Sequence, residues 1–220
     1  MAKARTDTFG ARLASRAKVA GSVVCLGLDP RPEAHPLTSG LACAGATASA
    51  IERYLITVLD ATHDLLACCK PQSAFFEALG LPGLEALAGV MNHARTLGLP
   101  VILDAKRGDI GSTAAAYAEA YLKGGDLAAD ALTVNLYLGL DTLEPFIAAA
   151  EANGRGLFVL VRTSNPGSAD LQELTLEDGT PLYSKLADAL TERAAGLPRD
   201  PDGYTSLGAV AGATHPAATA

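Results

Sequence analysis

Residues 101–113, Val-Ile-Leu-Asp-Ala-Lys-Arg-Gly-Asp-Ile-Gly-Ser-Thr, place a short apolar run directly before opposite charges. The run follows a Gly-Leu-Pro turn, which predicts that 101–103 is a buried strand. Residues two apart in a strand share a face, so Asp104 and Lys106 are expected to point the same way. A carboxylate and an ammonium at the end of a core strand are costly to desolvate. This cost favours a functional reason for the pair.

The whole chain has the length and composition of one globular domain spanning residues 1–220. It is 49% hydrophobic and carries a formal net charge of −7 at pH 7. An acidic chain disfavours nucleic acid and anionic membranes as partners, whereas a small anionic substrate needs only local cations. The sequence lacks an N-terminal signal region and any apolar stretch of ~18 residues, which predicts a cytoplasmic protein without a membrane partner.

The four cysteines and four histidines show no metal-ligand spacing. Cys25, Cys68 and Cys69 lie in apolar runs, so we expect them to be reduced thiols in the core. No metal site is predicted.

Short apolar runs alternate with helical patterns, which predicts a parallel sheet covered by helices. The predicted strands are 23–28, 65–69, 101–103, 131–135, 156–161 and 208–211. The predicted helices are 9–20, 48–62, 83–97, 114–120, 141–151 and 182–194, with another starting at 212–216. Ser112 or Thr113 is expected to cap the helix 114–120.

Polar residues directly after these strands favour an α/β (β/α)8 barrel, in which the chemistry lies at the carboxyl ends of the strands. A doubly wound sheet is the alternative, but the sequence has no GxGxxG or GxxxxGK loop. Six predicted strands correspond to about six of the eight βα units. We expect an unclosed barrel of this kind to leave its first and sixth strands with unpaired edges.

Charged residues after two different predicted strands can form an alternating array of Lys70, Asp104, Lys106 and Asp109, in which each charge is paired. Such an array suits a substrate that loses carbon dioxide. Asp104 would disfavour a substrate carboxylate beside it, and Lys106 would favour and then protonate the carbanion left behind. Fixed charges in a dry site stabilise such a transition state. A purely structural ion pair is the alternative, but it does not explain Lys70 or Asp109.

Three motifs resemble those of the orotidine 5'-phosphate decarboxylase family, in its longer bacterial branch. They are Asp104-x-Lys106-x-x-Asp109-Ile110, Lys70-Pro-Gln-Ser-Ala-Phe-Phe-Glu77 and Val24-Cys-Leu-Gly-Leu-Asp29-Pro30. The first motif alone is shared with related sugar-phosphate barrels, whereas the three in this order are specific. The resemblance covers residues 9–216.

The resemblance implies decarboxylation of orotidine 5'-phosphate to uridine 5'-phosphate, the last step of de novo UMP synthesis, without a cofactor or a metal. It implies that Lys106 donates a proton to C6, that Asp104 is its anionic neighbour, and that Lys70 holds this aspartate and a ribose hydroxyl. It further implies a homodimer with shared active sites. The other implied contacts are Asp29 with the ribose, Ser164 with the pyrimidine ring, and Asp109 and Thr113 with the site of the other subunit.

The family's phosphate-binding elements, a Pro-Gly-x-Gly-x-Gln-Gly loop and a late arginine after strands seven and eight, are not found in this sequence. Phosphate binding at these two loops is general in this barrel. We therefore expect the 220-residue chain alone to bind orotidine phosphate poorly and to decarboxylate it weakly or not at all. Two alternatives stay open: a non-catalytic truncated fragment of that enzyme, and a metal-dependent sugar-phosphate decarboxylase or aldolase on a related barrel.

Overall fold

The computed structural model describes residues 7–34 and 43–216. The α-helices are α1 (Phe9–Ala20), α2 (Ala44–Thr62), α3 (Ser73–Glu77), α4 (Leu81–Thr96), α5 (Gly111–Leu122), α6 (Glu144–Asn153), α7 (Ala169–Gln172) and α8 (Leu182–Ala195). The strands are β1 (Cys25–Leu28), β2 (Cys68–Pro71), β3 (Ile102–Arg107), β4 (Ala131–Val134), β5 (Gly156–Arg162) and β6 (Leu207–Ala211). Short 3-10 turns cover Pro32–Ala34, His63–Leu65, Leu140–Leu143 and Pro166–Ser168.

The strands lie side by side in sequence order, and every pair is parallel. β1 pairs with β2, and β3 to β6 form a second parallel group. Parallel bridges between Cys69 and Val101 and between Gln72 and Asp104 join the two groups. This order confirms the predicted α/β architecture. Within the described ranges β1 and β6 each have one strand neighbour, as expected for an unclosed barrel.

Two apolar layers lie on opposite faces of the sheet because successive side chains of a strand alternate in direction. Leu103 of β3 belongs to the large core that the surrounding helices cover. Its neighbour Ile102 packs on the other face with Phe9 and Leu13 of α1. The Phe9 and Phe158 rings meet edge to face, 5.9 Å apart. Helix α1 therefore covers the interior of the barrel at the end where the strands begin.

Several element boundaries differ from the sequence-based expectations. Ser112 and Thr113 are not caps: α5 already begins at Gly111, and its N-cap residue is Ile110. Gly111 adopts a φ of 51°, which lets the chain turn into the helix earlier than the polar residues predict. Strand β2 begins at Cys68, because the 3-10 turn His63–Leu65 extends the end of α2. Most of the helix predicted from 212–216 falls outside the described residues.

The burial of the cysteines agrees only in part with the prediction. Cys68 and Cys69 are buried, which confirms the prediction, but Cys25 is exposed. The prediction for Cys25 was wrong: among the described strands β1 pairs only with β2, so its apolar run is not covered on both sides. No helix in the described parts of the chain has the length and apolar character needed to cross a membrane.

A buried carboxylate fixes the end of the barrel where the strands begin. Asp130, only 8% exposed, lies just before β4. One of its oxygens accepts the backbone N–H of Val101 at 2.9 Å. The other accepts Arg12 of α1 at 3.0 Å and Arg155, before β5, at 2.7 Å. One side chain thus ties α1 to the segments that enter three neighbouring strands.

We predict that Asp130→Ala lowers the free energy of unfolding by about 2–3 kcal/mol, because it leaves the buried Val101 N–H without its acceptor and removes a carboxylate partner from Arg12 and Arg155. Urea unfolding followed by circular dichroism measures this change. Asp130→Asn is the matched control: it keeps an acceptor for Val101 and should lose roughly half as much. Equal stability of the alanine variant and the wild type would contradict this role.

Candidate active site

The centre of the site is the carboxylate of Asp104, which is 7% exposed and accepts four side-chain hydrogen bonds. Its Oδ1 accepts from Lys106 Nζ at 2.7 Å and from Thr133 Oγ1 at 2.8 Å. Its Oδ2 accepts from Gln72 Nε2 at 2.9 Å and from Lys70 Nζ at 3.2 Å. Two cations and two neutral donors therefore occupy the acceptor positions of one buried carboxylate.

Three neighbouring strands bring these groups together at their carboxyl ends. Lys70 is in β2, with Gln72 just after it, and the bridge between Gln72 and Asp104 sets this part of the register. Thr133 is in β4, and besides donating to Asp104 it accepts the backbone N–H of Lys106 at 2.9 Å. The pairing of β3 with β4 thus places three of the five groups, and the bridge from Gln72 to Asp104 brings in the other two.

The backbone of β3 is irregular where it carries the two charges. Its pairing with β4 shifts between Leu103 and Arg107. Lys106 has a φ of 48°, and among the described residues it is the non-glycine residue with a positive φ. A lysine in this region is strained, and such strain concentrates at functional sites. Asp104 and Lys106 therefore meet through a distorted segment and not through the regular alternation that the sequence suggested.

The surroundings of Asp104 keep its carboxyl group ionised. Burial acts to raise the pKa, but the hydrogen bonds from Lys106 and Thr133 and the charge of Lys70 outweigh burial, so the pKa of Asp104 lies below its ordinary value. The group therefore holds a negative charge between two ammonium groups throughout the neutral range.

The charged cluster forms one wall of an open cavity of about 610 Å³. Asp29, directly after β1, lines the same cavity, as does Phe75, against which the Arg31 guanidinium lies at 5.8 Å. The charged lining residues are four cations, Arg31, Lys70, Lys106 and Arg107, and three carboxylates, Asp29, Glu77 and Asp104. The cavity is therefore suited to a small anion that carries hydroxyl groups.

Arg107 is held in place by contacts within the chain. Its guanidinium pairs with Glu77 and lies 5.7 Å from the ring centres of both Tyr117 and Tyr121. The paired aromatic rings of α5 thereby fix the chain where it leaves β3.

Three of the predicted site residues lie outside this cavity. Asp109 accepts the backbone N–H of Ile110 at 2.8 Å and forms no ion pair with a described residue of the chain. Thr113 is exposed on the first turn of α5. Ser164, after β5, is exposed and packs beside Gly212. The array within one chain therefore ends at Lys106, and Asp109 does not join it.

A buried arginine holds the loop that carries Ser164. Arg162, 1% exposed, pairs with Glu173 and donates to Ser168. Gln172 accepts the backbone N–H of Thr163 and donates to its hydroxyl, each at 2.8 Å. The loop after β5 is therefore fixed by contacts with its own second half.

The sequence reasoning missed Gln72 and Thr133 as members of the site. Gln72 belongs to the quoted Lys70 motif, and its separation of two residues from Lys70 on an extended segment was a usable signal. Thr133 lies within a predicted strand, but only the register between β3 and β4 shows that it faces Asp104. In the described parts of the chain no group of three or more His, Cys, Asp and Glu side chains could hold a metal ion.

Comparison with known proteins supports the family resemblance of the three motifs. The model of the orotidine 5'-phosphate decarboxylase / HUMPS family matches residues 22–220. An orotidine 5'-phosphate decarboxylase of Rhodopirellula baltica is 44% identical over 218 residues, covering 95% of this chain and 72% of the relative. That of Deinococcus radiodurans is 47% identical over 212 residues, covering 96% and 71%.

A solved structure also matches this chain. The structure of Leishmania donovani OMP decarboxylase matches with a TM-score of 0.73 and 40% identity, covering 96% of this chain and 73% of that one. The family match, the two relatives and the common fold agree, and the chain belongs to the orotidine 5'-phosphate decarboxylase / HUMPS family.

Proposed function

We propose that this chain is a carbon–carbon lyase that decarboxylates orotidine 5'-phosphate to uridine 5'-phosphate in pyrimidine biosynthesis. The observation that carries the proposal is the ionised Asp104 held between Lys70 and Lys106 in an open cavity. The curated relatives of Rhodopirellula baltica and Deinococcus radiodurans bear the name of this activity.

The substrate is placed by charge and hydrogen bonds. Lys70, at 3.2 Å from Asp104, has two further N–H groups with which it can reach a ribose hydroxyl. Asp29, on the same cavity, accepts from the ribose. The contact of Ser164 with the pyrimidine ring rests on the family resemblance alone, because its side chain lies outside the cavity. These contacts place the substrate carboxylate beside Asp104 and C6 beside the Lys106 ammonium.

The reaction requires that the site stabilise an electron pair on C6 and supply one proton. The bond between C6 and the carboxylate breaks, carbon dioxide leaves, and the electron pair stays on C6. Lys106 Nζ, a cation at 2.7 Å from Asp104, stabilises this developing carbanion and transfers a proton to it. The neutral amine then regains a proton from water. Because Asp104 is already ionised and fully hydrogen-bonded, the site needs little rearrangement during the reaction.

We predict that Lys106→Ala lowers the rate of carbon dioxide release by at least about 100-fold, because it removes both the cation and the proton donor. Single turnovers with carboxyl-labelled orotidine 5'-phosphate and excess enzyme measure this step. Lys106→Arg should lose a similar factor, since guanidinium keeps the charge but does not give up its proton.

Lys185→Ala, an exposed lysine on α8, is the matched control and should release carbon dioxide at the wild-type rate. Retained turnover in Lys106→Ala would contradict the mechanism. Absence of turnover in the wild-type chain would favour the non-catalytic fragment, and loss of turnover on chelation of magnesium would favour the metal-dependent alternative.

We predict that Thr133→Val moves the acid limb of the pH profile of kcat/KM to higher pH. The hydroxyl lowers the pKa of Asp104, so its removal lets the pKa rise and the carboxylate protonates sooner as the pH falls. Thr133→Ser, which keeps the hydroxyl, should leave the limb in place. An unchanged limb in the valine variant would show that Thr133 does not help to ionise Asp104.

The proposal includes a homodimer with shared sites. Four large apolar side chains are exposed in the loops after β3 and β4: Ile110, Tyr137, Leu138 and Leu140. These loops are neighbours, because Asn135 donates its backbone N–H to the Arg107 carbonyl at 2.8 Å. Asp109 and Thr113 flank this apolar surface, and the proposal is that they reach the partner's site across it. Covering such a surface with a second copy removes apolar area from water.

We predict that Tyr137→Glu, at a side chain that is 73% exposed, converts a dimer into a monomer, because it places a charge in the interface. Light scattering coupled to size exclusion measures the mass. Leu81→Glu, at a 76% exposed side chain on α4, is the control and should stay dimeric. Equal masses for the two variants would exclude this surface as the interface.

The same proposal treats residues 1–220 as one barrel domain and places the reaction in the cytoplasm. The four cysteines form no disulfide, which suits a reducing compartment.

A further inference from the structure

Two cysteines face each other across the first strand pair. Cys25 of β1 and Cys68 of β2 are direct partners in the parallel register. Paired residues of neighbouring parallel strands lie on the same face of the sheet, with their backbones about 4.8 Å apart. This spacing is within the 4.4–6.8 Å range over which a disulfide joins two Cα atoms. Cys69, the next residue, belongs to the core on the opposite face.

The pair lies at the edge of an apolar cavity of about 480 Å³, at the end of the barrel where the strands begin. Phe9, Ile102 and Phe158 are among the side chains that line it together with both cysteines. Cys25 is exposed and Cys68 is 3% exposed. One thiol can therefore be reached from solvent, while the other is shielded directly behind it.

The two thiols differ in acidity. The hydrogen bond from Cys68 and, more weakly, the charge of Lys70 lower the pKa of Cys25 to about 7 in spite of partial burial. The same hydrogen bond and burial raise the pKa of Cys68. The thiolate is the reactive form of cysteine, and a pKa near 7 leaves about half of the group ionised at neutral pH. The exposed thiol is thus the nucleophile and the buried thiol its partner.

We propose that Cys25 and Cys68 form an oxidant-reactive dithiol, in which a hydroperoxide oxidises Cys25 and Cys68 then closes a reversible disulfide between β1 and β2. In the first step, written for hydrogen peroxide, the Cys25 thiolate attacks one peroxide oxygen, the O–O bond breaks, and the leaving hydroxide takes up a proton, so that a sulfenic acid and water form. In the second step the Cys68 sulfur attacks the sulfenic sulfur and expels a second water. The two thiols lose two electrons, and the hydroperoxide gains them.

The disulfide would join the two strands that lead to the charged cavity. Asp29 follows Cys25 by four residues, and Lys70 follows Cys68 by two. β1 has a strand neighbour only in β2 among the described strands, so the disulfide would add a covalent bond where the sheet has its edge. The proposal does not depend on decarboxylation, because the thiols can be followed directly.

The test treats the full chain with hydrogen peroxide, blocks remaining thiols with N-ethylmaleimide in denaturant, and measures intact mass. We expect the wild type to lose the mass of two hydrogen atoms and to take up two maleimides, and dithiothreitol to restore uptake of four. Cys43→Ser, at an exposed cysteine, and Cys69→Ala, at a buried one, should still form the disulfide. Cys25→Ser should lower the rate of disulfide formation at least about tenfold.

Cys68→Ala separates the two steps. Without its resolving partner, the sulfenic acid of Cys25 should accumulate and be trapped by dimedone, and circular dichroism shows whether the variant is folded. Disulfide formation at the wild-type rate in Cys25→Ser would overturn the proposal. Oxidation of Cys43 in the wild type as fast as that of Cys25 would also overturn it, since exposure alone would then explain the reactivity.

Discussion

The site depends on one ionised carboxylate whose acceptor positions are occupied by the protein itself. A buried charge is tolerated only when paired and hydrogen-bonded, and Asp104 meets this condition through two ammonium groups, an amide and a hydroxyl. Since these donors come from three adjacent strands, their geometry is set by the sheet register. The strand order of the barrel therefore determines the arrangement of charges in the site.

Strand β3 is held at both ends by the segments that flank it. Asp130 accepts the N–H of Val101 where the chain enters β3, and Thr133 accepts the N–H of Lys106 near its other end. Both acceptors come from β4 or from the residue before it. Two side-chain bonds thus supplement a backbone pairing that is interrupted between Leu103 and Arg107. The distortion that brings the ammonium to the carboxylate is stabilised by its neighbour.

The sequence predicted those features that depend on local pattern. Apolar runs alternating with helical periods gave the parallel α/β order, and α1 was placed at its observed residues, Phe9–Ala20. Features set by contacts between distant residues were not accessible. The role of Thr133 follows from the register of two strands, and the exposure of Cys25 follows from the single neighbour that β1 has among the described strands. The cap expected at Ser112 failed because Gly111 turns the chain first.

The positive φ of Lys106 sets stability against function at one position. Glycine adopts this conformation without strain, so glycine would suit the backbone here better than lysine does. No glycine can supply an ammonium group, however. A lysine at this position therefore costs folding stability, and it is favoured only by what its ammonium group does in the site. The strained backbone at Lys106 is therefore a structural sign that the ammonium group has a function.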